Sequence, residues 1–488
     1  MKSVITIQSF LFTILVAFLV IGCKTEQKDN SKKKPNIIVI YVDDLGYGDL
    51  SSYGSIWNQT PEVDKMASEG LRFTDFYAGA TVCSPSRAAL LTGSNSRRID
   101  MDLDAKNRWV LFPIAEKGLN PNESTLPKIL KEKAGYSTAI IGKWHLGDQE
   151  QFLPTKYGFD YWFGLPYSND MEKQNRKDPP LPLMRNNTII EQYKTYGTFD
   201  QTTITKRYTD ETIQWINKNK EKPFFLYLAQ TMPHNPAAAR KEFYEKTNNP
   251  KKAYGASVAE VSWSTGEILN HLKAEGLAEN TLVVFTSDNG GDLRFGASNG
   301  ILKGMKGQTH EGGIRVPCVA WWPGRIKPGT ISTAQASVID FYQTFTKLAG
   351  IEIKDDVKRD GKDISEHLFS PEKTQAPRPF YYWHVGYLHA VRFGKWKLSL
   401  IGSFNDEERK NIKKSGYYKI PEVPEFELFN LTKDPGETIN LADKHPGMVN
   451  KLLKMIQEER IKLGQWNEHG PEVRPTVRVE NPKPLLKK

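Results

Sequence analysis

The chain has 488 residues, and 67 Lys and Arg against 57 Asp and Glu give a formal net charge of +10. This length allows one large domain together with a smaller one. The Lys residues are scattered and concentrate near the N terminus and in the C-terminal tail, so they do not describe a nucleic-acid-binding face. We therefore expect no nucleic acid partner. The charge indicates attraction of a polyanionic substrate, or solubility alone.

The N terminus has the pattern of an export signal. Met1 and Lys2 form a short charged start, and residues 10–22 are an apolar run too short to span a bilayer. The run ends at Gly22-Cys23, which resembles the lipobox of bacterial lipoproteins. The resemblance implies removal of residues 1–22 and lipidation of Cys23, hence an exported bacterial lipoprotein anchored to the outer membrane, on its periplasmic or cell-surface face. A plain secretory signal with a chance Cys is the alternative. The polar residues 23–34 are predicted to form a flexible tether.

Four apolar runs have the pattern of strands buried on both faces, and polar residues follow each of them. The runs and their polar residues are 37–42 with Asp43 and Asp44, 138–141 with Lys143 and His145, 224–228 with His234, and 282–286 with Asp288 and Asn289. Helical patterns alternate with these runs, which predicts a doubly wound α/β sheet. If the strands are parallel, all four polar groups meet at one edge of the sheet, where such sheets bind ligands.

Helices are predicted between these strands, and we assign them no chemistry. Thr60 and Pro61 can cap and begin the first, which Gly70 is expected to end. Apolar residues at helical spacing mark the others, at 126, 129 and 130 and over 258–272. These stripes are expected to pack in the core.

Cys83 stands before a run that predicts a further helix. Pro85 suits the first helical turn and Gly93 suits the position after the last one, so Cys83 should lie at or just before the helix N terminus. Free N–H groups and the helix dipole favour an anionic nucleophile or substrate there. Arg87 lies one turn further on. The alternative for Cys83 is a small buried apolar residue, which is also the expectation for Cys318.

Asp43, Asp44, Asp288 and Asn289 offer oxygen ligands of the kind that Ca²⁺ or Mg²⁺ prefers. Acidic residues after a strand can also be ordinary caps, and for Asp43 and Asp44 alone the two explanations are equally good. The same pattern at Asp288 and Asn289 favours a metal site.

From about residue 379 onward, the chain differs from the preceding part in its pattern of apolar and aromatic residues. Short aromatic-rich strands are predicted at 380–383, 390–392, 395–398 and 426–429, followed by a turn at 434–436 and an amphipathic helix around 452–456. We therefore predict a large catalytic domain over residues 35–375 and a C-terminal subdomain over 376–488, with a small antiparallel sheet and a closing helix.

Two signatures carry a family resemblance. Residues 83–87, Cys-Ser-Pro-Ser-Arg, match the Cys-x-Pro-x-Arg signature of type I sulfatases, and residues 142–147, Gly-Lys-Trp-His-Leu-Gly, match a second one. The chain resembles this family over nearly its whole mature length, with closest similarity to the branch of arylsulfatase A and N-acetylgalactosamine-6-sulfatase. The resemblance implies an alkaline-phosphatase-like mixed sheet flanked by helices, with a smaller C-terminal antiparallel sheet.

The resemblance also implies the cofactors. In this family a maturation enzyme oxidises the signature Cys, here Cys83, to formylglycine, and the hydrated aldehyde is the nucleophile. One Ca²⁺ contacts the formylglycine and is held by residues that match Asp43, Asp44, Asp288 and Asn289.

The catalytic cations are carried over in the same way, and they would neutralise the charge of a sulfate ester. They are Arg87, Lys143, His145, His234 and Lys306. His145 is expected to remove a proton from the second hydroxyl of the sulfated hemiacetal, which releases sulfate, and His234 or Lys306 to protonate the leaving alcohol. Lys143 and His145 would share one face of an extended segment. Lys306 fits the family spacing better than Lys303 does.

The favoured function is a lipid-anchored sulfatase that removes sulfate from a sulfated polysaccharide or oligosaccharide, acting from a chain end. The alternatives are a phosphonate or phosphate ester hydrolase with the same motif, and a non-catalytic polyanion-binding lipoprotein. The segment 171–208 and the region of Trp383, His384 and His389 are expected to line the outer pocket, although the latter residues suit packing equally well.

Overall fold

The computed structural model describes residues 33–192, 197–416 and 422–485. The predicted signal segment, Cys23 and nearly all of the predicted tether lie outside these residues. Within them, no helix combines the length and the apolar character needed to cross a membrane.

The strands of the described residues belong to one large sheet and several small ones. In chain order they are β1 (Asn36–Val42), β2 (Leu71–Phe73), β3 (Phe76–Tyr77), β4 (Lys117–Gly118), β5 (Ser137–Gly142), β6 (Tyr161–Gly164), β7 (Pro182–Arg185), β8 (Thr188–Gln192), β9 (Phe224–Ala229), β10 (Thr281–Ser287), β11 (Cys318–Trp321), β12 (Thr330–Ser332), β13 (Ala336–Ser337), β14 (Pro379–His384), β15 (Tyr387–Phe393), β16 (Trp396–Ser399), β17 (Glu427–Asn430), β18 (Gly464–Gln465), β19 (Glu468–His469) and β20 (Val477–Arg478).

The α-helices lie between these strands and after them. They are α1 (Pro61–Ser68), α2 (Cys83–Thr92), α3 (Leu126–Ala134), α4 (Ile204–Asn219), α5 (Lys252–Ala274), α6 (Glu311–Ile314), α7 (Phe341–Leu348), α8 (Ser365–Phe369), α9 (Asp406–Ser415) and α10 (Pro446–Leu463).

The large sheet has ten strands in the order β12-β2-β11-β10-β1-β9-β5-β6-β7-β8. Its centre, from β10 to β6, is parallel, whereas β11 and β7 pair antiparallel with the strands beside them. The four strands predicted around Asp43, Lys143, His234 and Asp288 are confirmed as β1, β5, β9 and β10. The sheet is mixed because β11 and β7, at the two sides of this centre, run opposite to the central strands.

Both faces of the sheet are covered, as the continuous apolar runs predict. In β1, Ile37, Val39 and Tyr41 belong to the core with α2, α3 and α7, whereas the alternate residues belong to the core with α1, α4 and α5. This alternation is the period of two of a strand that is buried on both sides.

The predicted helices are present, with one difference at α1. Thr60 precedes this helix, but its side chain makes no cap hydrogen bond to the backbone, and its Oγ1 donates instead to Asp64 Oδ1 at 3.1 Å. The helix ends at Ser68 rather than at Gly70.

The predicted C-terminal sheet is confirmed. Strands β14, β15, β16 and β17 form an antiparallel sheet in that order, and α10 packs on it through Leu452 and Ile456. The predicted domain limit at residue 375 stays a prediction.

Candidate active site

The ends of the central parallel strands bring the predicted polar residues to one edge of the sheet. Asp43 and Asp44 follow β1, Lys143 follows β5, and Asp288 follows β10 in the strand order β10-β1-β9-β5. The chain leaves β1 with Asp44 in the left-handed region, at φ 63°. All of these side chains are buried. The sheet topology therefore assembles residues that are up to about half of the chain apart.

Cys83 is the first residue of α2, where the sequence predicted it. Val82 before it is extended, and Gly93 ends the helix in the left-handed region at φ 64°. The Cys83 Sγ lies 3.5 Å from Asp43 Oδ1. Burial, reinforced by the Asp43 carboxylate, raises the pKa of the Cys83 thiol well above its usual range. An unmodified Cys83 would thus be held as the neutral thiol, which is a weak nucleophile.

Three cations contact the carboxylates of this edge. Arg87 Nη2 lies 2.7 Å from Asp288 Oδ2 and 3.6 Å from Asp43 Oδ1. Lys143 Nζ donates to Asp43 Oδ2 at 2.5 Å, and Lys306 Nζ lies 2.7 Å from Asp44 Oδ1. The structure therefore places Lys306, and not Lys303, among the cations of this site, as predicted.

The charges set the protonation of the carboxylates. Burial would raise the pKa of Asp43, but Lys143 and the neighbouring cations outweigh burial and hold the pKa of this carboxyl well below its usual range. Burial, together with the Asp43 carboxylate, raises the pKa of Asp288 despite its contact with Arg87. Three cations thus face three carboxylates at this edge, and Asp288 is the carboxylate whose ionised form burial disfavours most, so a further cation nearby would favour that form.

The ligand atoms suit a metal ion. Ligand atoms of Asp43, Asp44, Cys83 and His234 all lie within 4.8 Å of one another. Asn289 Nδ2 donates to Asp44 Oδ1 at 2.8 Å, which leaves Asn289 Oδ1 buried and without a hydrogen-bond partner among the described residues. Buried carbonyl oxygens normally have a partner. An oxygen-rich set with one unsatisfied oxygen therefore fits a hard divalent cation.

The spacing of Lys143 and His145 predicted an extended segment, and this prediction is wrong at His145. Its backbone is left-handed at φ 61°, so the chain turns between the two residues. His145 Nε2 lies 2.8 Å from the carbonyl oxygen of Leu111, and a carbonyl can only accept, so Nε2 carries the proton. Nδ1 has no hydrogen-bond partner within the described part of the chain. Burial lowers the pKa of His145, which leaves Nδ1 as a free proton acceptor.

His234 is oriented by a residue that sequence reasoning missed. Asn169 donates through Nδ2 to Gln201 Oε1 and to the carbonyl of Pro236, so its Oδ1 accepts from His234 Nδ1 at 2.9 Å. The other ring nitrogen, Nε2, lies 3.6 Å from Asp44 Oδ2. Burial and the nearby Lys306 lower the pKa of His234.

Asn169 and Ser168 follow the short aromatic strand β6, which pairs in parallel with β5. Ser168 Oγ accepts from Lys143 Nζ at 3.1 Å. The sequence contained a signal for these two residues, because an apolar run followed by polar residues also marks this fifth strand.

A cavity of about 360 Å³ opens over these residues. Cys83, His145, His234 and Lys306 line it, and we call it the reaction cavity. Its outer wall contains residues that sequence reasoning did not identify, among them Trp109, Phe112, Ser168, Asp170, Asp292 and Arg294.

The prediction for the outer pocket is correct only in part. Met171 and Arg176 of the segment 171–208 line the reaction cavity. Trp383, His384 and His389 do not line it, and all three are buried elsewhere, Trp383 in the core between the small sheet and α10. His384 Nδ1, for example, lies 2.8 Å from Thr81 Oγ1. Packing, the alternative, is therefore the correct explanation for these three.

A second charged cluster, formed by Glu311, Lys397 and Glu437, lies between α6 and the small sheet. Lys397 Nζ lies 3.0 Å from Glu311 Oε1 and 2.9 Å from Glu437 Oε1, and all three side chains are fully buried. Glu437 Oε2 accepts from the backbone N–H of Glu311 at 2.7 Å. Sequence reasoning assigned nothing to these residues.

Comparison with known proteins shows that this fold is that of a sulfuric ester hydrolase. The family model "Sulfatase" matches residues 35–351, and "N-sulphoglucosamine sulphohydrolase, C-terminal" matches residues 305–463. The chain belongs to the sulfatase family.

Individual relatives are similar over most of their length. The chain is 35% identical to N-acetylgalactosamine-6-sulfatase of Mus musculus, covering 88% of this chain and 86% of the relative, and 33% identical to Arylsulfatase A of Homo sapiens, covering 89% and 88%. Among solved structures, Ps i-CgsB in complex with k-i-k-neocarrahexaose has a TM-score of 0.73 at 30% identity, covering 88% of this chain and 93% of that one. PsFucS1 sulfatase from Pseudoalteromonas sp. has the same TM-score at 29% identity, covering 88% and 90%.

Proposed function

We propose that this enzyme removes sulfate from a sulfated polysaccharide or oligosaccharide, acting from a chain end, with Cys83 converted to formylglycine and one bound Ca²⁺. The similarity to N-acetylgalactosamine-6-sulfatases, and to a structure solved with neocarrahexaose, supports a carbohydrate substrate.

The observation that carries this proposal is the place of Cys83. It is buried at a helix N terminus, on the floor of the reaction cavity, 3.5 Å from a carboxylate that three or more cations surround. The raised pKa of the thiol disfavours ordinary thiolate chemistry at this position. Formylglycine at residue 83 would supply a hydrated aldehyde, whose hydroxyl is a nucleophile toward sulfur.

The surrounding residues stabilise charge and transfer protons, and different residues have these roles. Arg87 and Lys143 lie beside the nucleophile and hold negative charge there. His145 has Nδ1 free to accept a proton from the nucleophilic residue. Lys306, whose pKa is raised by Asp44 despite burial, stays cationic and is a proton donor for the leaving alcohol, together with His234 on the same side of Asp44.

Asp43, Asp44, Asp288 and Asn289 would hold the Ca²⁺, with residue 83 beside it. The cation would favour the ionised form of Asp288 and satisfy Asn289 Oδ1. Its chemistry is to stabilise negative charge next to the nucleophile.

The proposal includes an export route. A formylglycine-generating maturation enzyme would act on Cys83, and a lipid on Cys23 would anchor the protein to the outer membrane. Palmitate labelling of the wild type and of Cys23→Ser tests the anchor, and equal labelling of both proteins would contradict it.

The first experiment tests activity and modification together. We expect protein coexpressed with a maturation enzyme to carry formylglycine at residue 83, as measured by peptide mass spectrometry, and to hydrolyse 4-nitrophenyl sulfate. Unmodified Cys83 in fully active protein would contradict the mechanism. Faster hydrolysis of a matched aryl phosphonate would favour the phosphonate hydrolase alternative, and no hydrolysis of either would favour a polyanion-binding protein. Defined sulfated oligosaccharides, beginning with N-acetylgalactosamine 6-sulfate, then identify the sugar.

The metal has a readout that is independent of activity. Binding to the folded state alone stabilises it by about 2.7 kcal/mol at a concentration of 100 times Kd. We expect Ca²⁺ to raise the Tm of chelator-treated protein, and to raise it much less in Asn289→Ala. Asn187→Ala, at an exposed position, is the matched control. An equal rise of Tm in all three proteins would exclude this ligand set.

A further inference from the structure

A second cavity, of about 460 Å³, adjoins the reaction cavity. Phe112 and Arg176 line both cavities, so they form the boundary between them. The second cavity contains neither Cys83 nor any of the cations assigned to the reaction. A ligand held at Cys83 and longer than one sugar unit would therefore extend past Phe112 into this space.

The second cavity has more positive than negative side chains. Five cations line it, namely Lys106, Arg108, Lys117, Arg176 and Lys177, against three carboxylates. All three carboxylates are already engaged, since Asp104 pairs with Arg108, Asp178 with Arg176, and Glu116 with Lys106.

Lys177 is the cation available for a ligand. Its side chain is exposed, and it forms no ion pair within residues 33–192, 197–416 and 422–485. Lys117, by contrast, is buried and bound to Asp100 Oδ1 at 2.8 Å. The surplus charge of the cavity is thus concentrated at its exposed side.

Phe112, at the boundary of the two cavities, contacts two guanidinium groups. Arg108 Cζ lies 3.9 Å and Arg176 Cζ 4.9 Å from the centroid of its ring. These contacts fix the ring, and Arg176, which also pairs with Asp178, lies beside it at the boundary.

The backbone of this boundary is fixed to the loop that carries His145. Asp148 accepts from the N–H of Ile114 at 2.6 Å and from the N–H of Ala115 at 2.8 Å, while Leu111 accepts from His145. Ile114 has φ 59°, which is costly for a β-branched residue and is found where the surroundings impose it. The second cavity is therefore built on the same rigid loop as the reaction centre.

We propose that the second cavity binds an anionic group, either a sulfate or a carboxylate, on the sugar unit next to the one that loses its sulfate. Lys177 is the residue that determines this specificity, with Arg176 at the boundary. The inference rests on the proposed function and extends it, because it defines the substrate as an oligosaccharide with anionic groups on successive units.

The test is competition against hydrolysis of 4-nitrophenyl sulfate, which is too small to reach the second cavity. The inhibitors are N-acetylgalactosamine 6-sulfate, a chondroitin 6-sulfate tetrasaccharide, and the same tetrasaccharide with its carboxyl groups reduced to alcohols. One charge-assisted contact is worth about tenfold in affinity. We expect the wild type to bind the tetrasaccharide at least about tenfold more tightly than the monosaccharide. In this tetrasaccharide the unit next to the sulfated sugar is a uronic acid, which carries a carboxylate and no sulfate. Lost affinity for the reduced tetrasaccharide would therefore identify the second group as this carboxylate, and retained affinity would exclude the carboxylate and leave the sulfate one unit further on as the bound group.

Lys177→Glu should remove this advantage while leaving kcat/KM for the aryl sulfate within about twofold of the wild type. Lys327→Glu, which makes the same charge change at an exposed position following β11, is the matched control and should retain it. Equal inhibition of the wild type by the monosaccharide and the tetrasaccharide, or inhibition by neither, would overturn the proposal. So would an unchanged inhibition constant in Lys177→Glu. An inactive wild type with formylglycine at residue 83 would instead overturn the proposed function.

Discussion

Two buried clusters of opposite charges within the described part of the chain differ in their access to a cavity. At the strand ends, Lys306 and Asp44 line the reaction cavity. In the second charged cluster, Lys397 lies between two carboxylates, and none of the three side chains is exposed or lines that cavity. Buried charge therefore does not by itself identify a catalytic site, whereas access to a ligand does.

The largest expected effect separates the two buried Cys residues. Cys83→Ala removes the proposed nucleophile, and we expect it to lower kcat by at least about 10⁴-fold with little change in Tm. Cys318→Ala, the same change within β11, should leave kcat per folded molecule unchanged and lower stability by less than about 2 kcal/mol. Aryl sulfate kinetics and urea unfolding of both variants check this. Residual activity of Cys83→Ala above one per cent would contradict the assignment.

Replacing one Lys in each charged group tests the comparison directly. Lys397→Met leaves Glu311 and Glu437 buried without a cation, and we expect a loss of about 3–5 kcal/mol of stability with normal kcat per folded molecule. Lys306→Met should lower kcat by about 10²–10³-fold. Its stability should change less, because Asp44 still accepts from Asn289.

The measurements are urea unfolding and kcat corrected for the folded fraction. If Lys397→Met lost kcat and kept its stability, the second charged cluster would belong to the reaction and the comparison would fail.

A third variant pair tests whether the reaction centre depends on orientation as well as on charge. His234→Ala should lower kcat about 10²-fold or more. Asn169→Ala, which frees the ring of His234, should lower it about tenfold. Both losses should be larger for a sugar sulfate than for an aryl sulfate, because the poorer leaving group needs its proton more. A loss that is equal for the two substrates would show that His234 does not assist the leaving group.

The smallest effect is a pH dependence of stability from the second charged cluster. Burial, with Glu311 close by, raises the pKa of Glu437 from 4.5 to about 7. The folded state therefore binds a proton that the unfolded state has lost, and this stabilisation is complete below about pH 4.5 and disappears as the pH rises through about 7. It is at most about 3 kcal/mol. Glu437→Gln should lack this decline in urea unfolding at pH 5 and pH 8, and parallel declines in both proteins would exclude Glu437.

The sequence was sufficient to predict the central strands and the residues at their ends, because buried parallel strands are continuous apolar runs and topology brings their carboxyl ends together. The contacts that orient His145 and His234 were not predictable in the same way. Leu111 and Asn169 lie in loops, and which loop atom meets a given ring depends on the path of the whole segment.

The second charged cluster was missed for a different reason. Lys397 stands between Trp396 and Leu398 in a strand, where alternation would place every second residue in solvent. The structure buries it against Glu311, which lies 86 residues earlier. Only the tertiary pairing shows that this Lys is inside the protein.

The C-terminal tail has a practical consequence for handling the protein. Strand β20 pairs with β4, Pro482 lines the second cavity, and the backbone N–H of Lys483 donates to Gln149 Oε1 at 2.9 Å. A protease that trims the chain before Pro482 would therefore remove part of the lining of the second cavity and leave the residues of the reaction cavity in place. Preparations should be compared by intact mass before their activities on long and short substrates are compared.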